Sequence, residues 1–227
     1  MKRGVAAILA AWFALTLAGC TGVPRELKLR ETFYLALGAS DATGVGAIPL
    51  TNGYVYRIKG ELEKHFSRVE LLNLGVPAAR IGLIKDELTV VLRLGVNPHL
   101  VTLWTGANDL IAGGDPLAFE TELRTILQRL HNETTAAIVM ANLPDLTKLP
   151  RFRENPSPVV TPERVQAFND AIARQARANK VLVVNLFAQE LGDALVWDLD
   201  GFHPNNEGHR VIAELFLKLI LPIFEIR

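Results

Sequence analysis

The sequence predicts a single α/β/α domain built on a parallel β-sheet, and three observations carry that expectation. Short apolar runs of strand character alternate with longer amphipathic segments along most of the 227 residues. Most of the short runs are apolar at nearly every position, as strands covered on both faces by helices must be. The chain is long enough for one well-buried core and cramped for two.

The first element is a leader. Lys2 and Arg3 precede an almost uncharged apolar run, Val5 to Ala18, which has the pattern of a secretory signal and is too short for a comfortable membrane span. The run ends in Leu17-Ala18-Gly19-Cys20, which resembles the lipobox of bacterial lipoproteins, where the cysteine thiol is lipidated and becomes the new N-terminus. Cys20 is the only cysteine, so no internal disulfide can form. The expectation is a signal peptide over residues 1–19, a lipidated Cys20 opening a polar tether over 20–31, and a folded domain over 32–227. Several acyl chains on one residue give stable attachment where one chain does not. A plain cleaved signal with an incidental cysteine is the alternative. Thr21 follows the cysteine where an inner-membrane retention signal would resemble Asp, which favours the outer membrane or outer cell surface.

Five strands follow in order. They are 33–37, 68–74, 100–104, 136–141 and 181–186. Between them, Ile81, Ile84, Leu88, Val91 and Leu92 recur at helical steps with Lys85, Asp86 and Glu87 opposite, and Leu117 to Leu130 repeats the pattern. Thr161-Pro162-Glu163 opens another helix, with Thr as N-cap and Pro at the first helical position. The last helix runs from Asn206 to about Leu219 with Val211, Ile212, Leu215, Phe216 and Leu219 inward. Two connections are long, Ser40 to Tyr56 and Leu143 to Thr161. Both follow strands and so overhang the sheet's carboxyl edge, either as walls of a substrate pocket or as plain surface loops, the second stiffened by proline.

Charge narrows the partners. Lys plus Arg and Asp plus Glu each total 24; loss of Lys2 and Arg3 with the leader leaves a small acidic excess. Nothing in that balance favours nucleic acid. No pair of histidines has metal-ligand spacing with a matching carboxylate, so no metal is expected. Neither Gly-x-Gly-x-x-Gly nor Gly-Lys-Ser/Thr occurs, which weighs against a nucleotide- or flavin-binding module.

Four short stretches carry the chemistry. Gly38-Ala39-Ser40 follows the first strand at a tight turn that lifts a hydroxyl clear of the sheet; a serine needs a base to take its proton, and that base needs an orienting group. Asp200 and His203, three residues apart, can meet within one turn, with Asp198 a competing orienter at longer range. Gly75 after the second strand allows close approach of its N–H, and Asn108 after the third can present its amide, both suited to charge developing on an oxygen. Each stretch alone is also ordinary turn chemistry. His209 falls a turn later, inside the last helix, where packing or capping is expected. His65, His99 and His131 read as structural.

Together these stretches resemble the motif blocks of the SGNH, or GDSL-type, esterase and lipase family, in the family's order. Tyr34-Leu35-Ala36-Leu37-Gly38-Ala39-Ser40 resembles the nucleophile block, Asn73-Leu74-Gly75-Val76 the glycine block, Gly106-Ala107-Asn108-Asp109 the asparagine block, and Asp200-Gly201-Phe202-His203-Pro204 the Asp-x-x-His block. The resemblance implies a flavodoxin-like sheet in the order 2-1-3-4-5, whose crevice opens at the ends of strands 1 and 3, the strands that Ser40 and Asn108 follow. It implies Ser40 as nucleophile, His203 as base, Asp200 as its orienter, and the Ser40 N–H, Gly75 N–H and Asn108 side chain as an oxyanion hole, without cofactor. Ala39 departs from the family, which usually has Asp there.

The expected protein is a lipid-anchored serine esterase or lipase that hydrolyses small-molecule or lipid carboxylic esters through an acyl-enzyme. A non-catalytic lipoprotein that binds acyl groups or glycans on the same fold is the alternative, motivated by Ala39. Arg151 and Arg153 favour an anionic substrate or form a solvated pair.

Overall fold

The computed structural model of the protein describes residues 31–189 and 191–226. The leader, Cys20 and all of the tether but Glu31 lie outside them. Five strands, β1 (Thr32–Gly38), β2 (Val69–Gly75), β3 (Leu100–Trp104), β4 (Ala137–Ala141) and β5 (Leu182–Val184), form one sheet in the order β2-β1-β3-β4-β5. Every pairing is parallel, and the register brings the carboxyl ends level: Gly38 pairs with Gly75 and Trp104, Trp104 with Ala141, and Ala141 with Val184. One sheet edge therefore receives whatever follows each strand.

Alternation along the strands builds two cores. Leu35, Leu37, Val101, Leu103 and Met140 face helices α3 (Ile81–Arg93), α5 (Pro116–Glu133) and α7 (Pro162–Ala178). Tyr34, Ala36, Leu100, Trp104 and Val139 face α2 (Tyr54–His65) and α8 (Asn206–Ile223). One polar pair bridges β1 and β3, where Tyr34 Oη and Thr102 Oγ1 lie 2.8 Å apart in the buried layer. Caps match the sequence: Thr161 accepts from the Arg164 N–H with Pro162 in the first turn, and the Asn205 side chain accepts from the N–H groups of Glu207 and Gly208.

The structure differs from expectation in three places. β5 stops at Val184, two residues early, because Asn142 Oδ1 accepts the N–H groups of Leu186 and Phe187 and turns the chain off the sheet. The connection after Ser40 is not open loop: it holds the one-turn α1 (Ser40–Thr43), a 3₁₀ turn at Leu50–Asn52 and the start of α2. The connection after β4 likewise holds a 3₁₀ turn at Leu146–Lys148 and the short α6 (Pro150–Glu154). A further short helix, α4 (Ala107–Ile111), follows β3 directly. No described helix is long and apolar enough to cross a membrane.

Candidate active site

Ser40 is the first residue of α1, so its N–H is one the helix leaves unused. Glycines let α1 sit this close to the strand ends. A Cβ on Gly38 would lie 2.9 Å from the Trp104 carbonyl oxygen, and one on Gly75 would lie 2.6 Å from the Thr43 nitrogen. Thr43 Oγ1 donates to the carbonyls of Ala39 and Gly75, and Asn73 Nδ2 donates to Ala42 O at 2.7 Å. Ala39 is itself buried in the apolar core, and the polar contacts there come from its carbonyl.

The facing group comes from the turn before α8. Asp200 Oδ1 accepts the N–H groups of Phe202 (2.9 Å) and His203 (3.0 Å), and Oδ2 accepts from His203 Nδ1. That fixes the imidazole with its other nitrogen free to accept, and Nε2 stands 2.8 Å from Ser40 Oγ. Burial works to raise the Asp200 carboxyl, but the hydrogen bonds from the His203 ring and from the His203 and Phe202 N–H groups outweigh it and hold Asp200 below the usual carboxylate range. Asp198 is exposed, outside this arrangement. The turn is pinned from outside: Gly201, at φ +62°, accepts the Arg151 N–H on its carbonyl, and a Cβ there would lie 2.8 Å from the Arg151 nitrogen. Hydroxyl, imidazole and carboxylate thus stand in one line, able to strip the serine proton and hold the resulting charge.

Asn108 lies in α4, entered through Gly106 in the left-handed region at φ +110°. Its Nδ2 donates one hydrogen to Ala79 O at 3.0 Å, leaving the second for a ligand. Asn108, Ser40, Ala39, Trp104 and Phe202 line one cleft. Gly75 is placed differently from expectation. Its N–H donates to Asn73 Oδ1 at 3.0 Å, so what the missing Cβ visibly secures is the packing of α1.

Two acids beside the site, Asp41 and Asp109, had no role assigned from the sequence. Asp41, next to Ser40, lines the same cleft, and burial raises its carboxyl while the field of His203 partly offsets that. Asp109 is 7% exposed and both its oxygens accept the Ile81 N–H, holding the start of α3. His209 is fully buried: Nδ1 accepts the Tyr54 N–H and Nε2 donates to Val45 O, a packing strut as expected. His99 caps a strand entry by accepting the Phe33 N–H. Of the two arginines, Arg153 forms a bidentate pair with Asp193, and Arg151 lies over the Phe152 and Phe202 rings.

Comparison with known proteins agrees with this architecture. The psychrotrophic esterase EstA from Pseudoalteromonas sp., in a structure inhibited by monoethylphosphonate, superposes with TM-score 0.68 at 17% identity, over 86% of this chain and 99% of that one. TesA gives 0.66 at 18%, over 83% and 97%. A family 3 carbohydrate esterase from Clostridium thermocellum gives 0.67 at 18%, over 86% and 98%. These likenesses establish the fold. No curated protein matches the sequence. Residues 36–211, which hold the Ser40, Asn108 and Asp200–His203 segments, match the family described as GDSL-like lipase/acylhydrolase. The chain belongs to that family, and it is a carboxylic ester hydrolase.

Proposed function

We propose that the protein is a serine esterase working through an acyl-enzyme. The observation that carries this reading is the 2.8 Å contact between Ser40 Oγ and His203 Nε2, with Asp200 on the other ring nitrogen. In the first half-reaction His203 takes the Ser40 proton as Oγ attacks the ester carbonyl. The Ser40 N–H and the free amide hydrogen of Asn108 receive the charged oxygen. Gly75 adds its N–H only by leaving Asn73. The tetrahedral intermediate collapses, His203 returns the proton to the departing alcohol, and the acyl group stays on Ser40. Water then enters, loses its proton to His203 and releases the acid, which restores the hydroxyl. The ionised Asp200 stabilises the imidazolium in both halves.

A fluorophosphonate probe tests the nucleophile; the inhibition of the EstA neighbour by a phosphonate makes this reagent class a natural choice. The wild-type chain should be labelled and Ser40→Ala should not. Equal labelling of both would remove Ser40 from its role.

We further propose export as a lipoprotein, with residues 1–19 removed and Cys20 lipidated, on the outer membrane or outer cell surface. Support comes from the leader composition, the Leu-Ala-Gly-Cys run and the single cysteine. Metabolic labelling with a radioactive fatty acid checks it: incorporation should vanish in Cys20→Ala, and unlabelled wild-type protein in a soluble fraction would refute the anchor.

A further inference from the structure

A narrow apolar chamber runs inward from the cleft that holds Ser40 and Asn108. The two share Asp41, Trp104, Ala107 and Phe202 in their walls, so they are continuous. The chamber's floor is core: Leu146 is 1% exposed and Ile212 fully buried. Its free volume is about 30 Å³, against the roughly 10–15 Å³ that one water needs. The hollows that flank the site differ in kind. One, of about 400 Å³, is lined by Arg151, Glu154, Asp198 and Asp200; the other, of about 700 Å³, by Asp145, Lys148, Arg153 and Asp193 among others.

Two arguments say which part of an ester belongs in the chamber. In an acyl-enzyme sequence the alcohol must depart before water enters, whereas the acyl group stays on the serine throughout. A passage that ends in packed core would trap an alcohol, but it suits the group that remains. Apolar walls also compensate the desolvation of alkyl groups and of nothing else. Asp41 is the one ionisable side chain in the chamber's lining, and among the described residues no lysine or arginine forms an ion pair with it. The titratable groups whose fields reach it are His203, neutral while Nε2 accepts from Ser40, and the carboxylate of Asp200. A second carboxylate on the acyl chain would meet Asp41 with no cation between them.

We infer that this chamber is the acyl pocket, and that its size and the Asp41 carboxyl at its mouth restrict the enzyme to short, uncharged acyl groups of about two to four carbons. The inference rests on the esterase reading above.

The experiment measures kcat/KM at pH 8 for p-nitrophenyl acetate, butyrate, octanoate and the p-nitrophenyl monoester of succinate, with wild type, Leu195→Ala, Leu195→Trp and Asp41→Asn. Leu195 is a half-buried wall residue on a 3₁₀ turn, outside the reacting groups. In wild type, butyrate should exceed octanoate by at least tenfold, and succinate should trail butyrate by at least tenfold. Leu195→Ala should raise the octanoate-to-acetate ratio severalfold, Leu195→Trp should lower the butyrate-to-acetate ratio, and Asp41→Asn should narrow the succinate gap. Octanoate turned over as fast as butyrate by wild type would overturn the inference. So would Leu195 ratios that do not move, or succinate matching butyrate. In those cases Ser40-dependent hydrolysis of acetate leaves the esterase reading standing. No Ser40-dependent hydrolysis of any ester would overturn both.

Discussion

Gly46 lies directly against the turn that carries His203. A Cβ placed on Gly46 would stand 2.1 Å from the Pro204 carbonyl oxygen and 3.2 Å from His203 Cβ, and its φ of +91° is left-handed. The segment after Ser40 and the segment before α8 therefore approach through a gap only glycine leaves open. Gly46→Ala should displace the imidazole rather than unfold the sheet, and a misplacement near 1 Å costs on the order of 100-fold in rate. Turnover of a short ester should fall at least tenfold while the far-ultraviolet dichroism spectrum is kept. Wild-type turnover would mean that the loop, not the histidine, gives way.

A substitution at Asn108 distinguishes binding from rate. One of its amide hydrogens is fixed on Ala79 O and the other faces the cleft. If that second hydrogen meets charge only as the carbonyl becomes tetrahedral, Asn108→Ala should lower kcat by roughly 10²–10³ with KM little changed. A change confined to KM would assign Asn108 to ground-state binding instead.

Asp200 holds the His203 ring through Nδ1. Asp200→Asn preserves the shape but offers the wrong partner to Nδ1–H, and a loss of about 10³–10⁴ in kcat is expected from the tautomer alone. Its folded-state pKa is depressed, so its contribution to stability is present above the ordinary carboxylate value and is lost as pH falls through the lower folded one. Acid melts should show wild type losing its advantage over Asp200→Asn only below about pH 4. An advantage that fades near neutrality would contradict the hydrogen-bond account of Asp200.

What could be read in the sequence depended on whether a residue's role is local. Asp200 and His203 sit within one turn, so their spacing already implied contact. The runs that became β1 and β3 are apolar on both faces because helices cover both. Ser40 meets His203 across 163 residues, and only the motif order hinted at it. Gly75 was legible as a required glycine, but the reason lay in Thr43, a residue 32 positions away that approaches it in space. The end of β5 depended on the side chain of Asn142, which no periodicity reports. No pattern in the sequence assigned a role to Asp41 or Asp109; burial, Asp41 in the cleft and Asp109 at the start of α3, raises both carboxyls.

His209 is a buried strut whose charge state matters. Burial pushes its pKa down to about 4, outweighing the hydrogen bond to Val45 O, so the ring is neutral with its proton on Nε2. A depressed histidine contributes stability that is present above the ordinary value near 6.5 and is lost as pH falls toward 4. His209→Ala removes the partners of the Tyr54 N–H and the Val45 carbonyl and leaves a cavity. It should cost about 2–4 kcal/mol in urea unfolding at pH 8. Between pH 6.5 and 4 the gap to wild type should shrink; a gap that widens on acidification would mean that the ring is charged in the fold.

Asp109 titrates with the opposite sign. Burial raises its carboxyl to about 6, against the opposing hydrogen bond from the Ile81 N–H. The folded state therefore holds this proton more tightly than the unfolded chain does. The stabilisation it brings is complete below the ordinary carboxylate value near 4 and is gone once pH passes about 6. At pH 8 the group is a desolvated carboxylate whose near cation is Arg80. Asparagine can still accept the Ile81 N–H through Oδ1 without that desolvated charge. Asp109→Asn should therefore be more stable than wild type by ~1–2 kcal/mol at pH 8 and no more stable at pH 4. Urea unfolding at the two pH values decides it. A variant destabilised at pH 8 would show that the start of α3 needs the full negative charge of Asp109, and that the electrostatics of its N-terminal turn outweigh the cost of burying the ion.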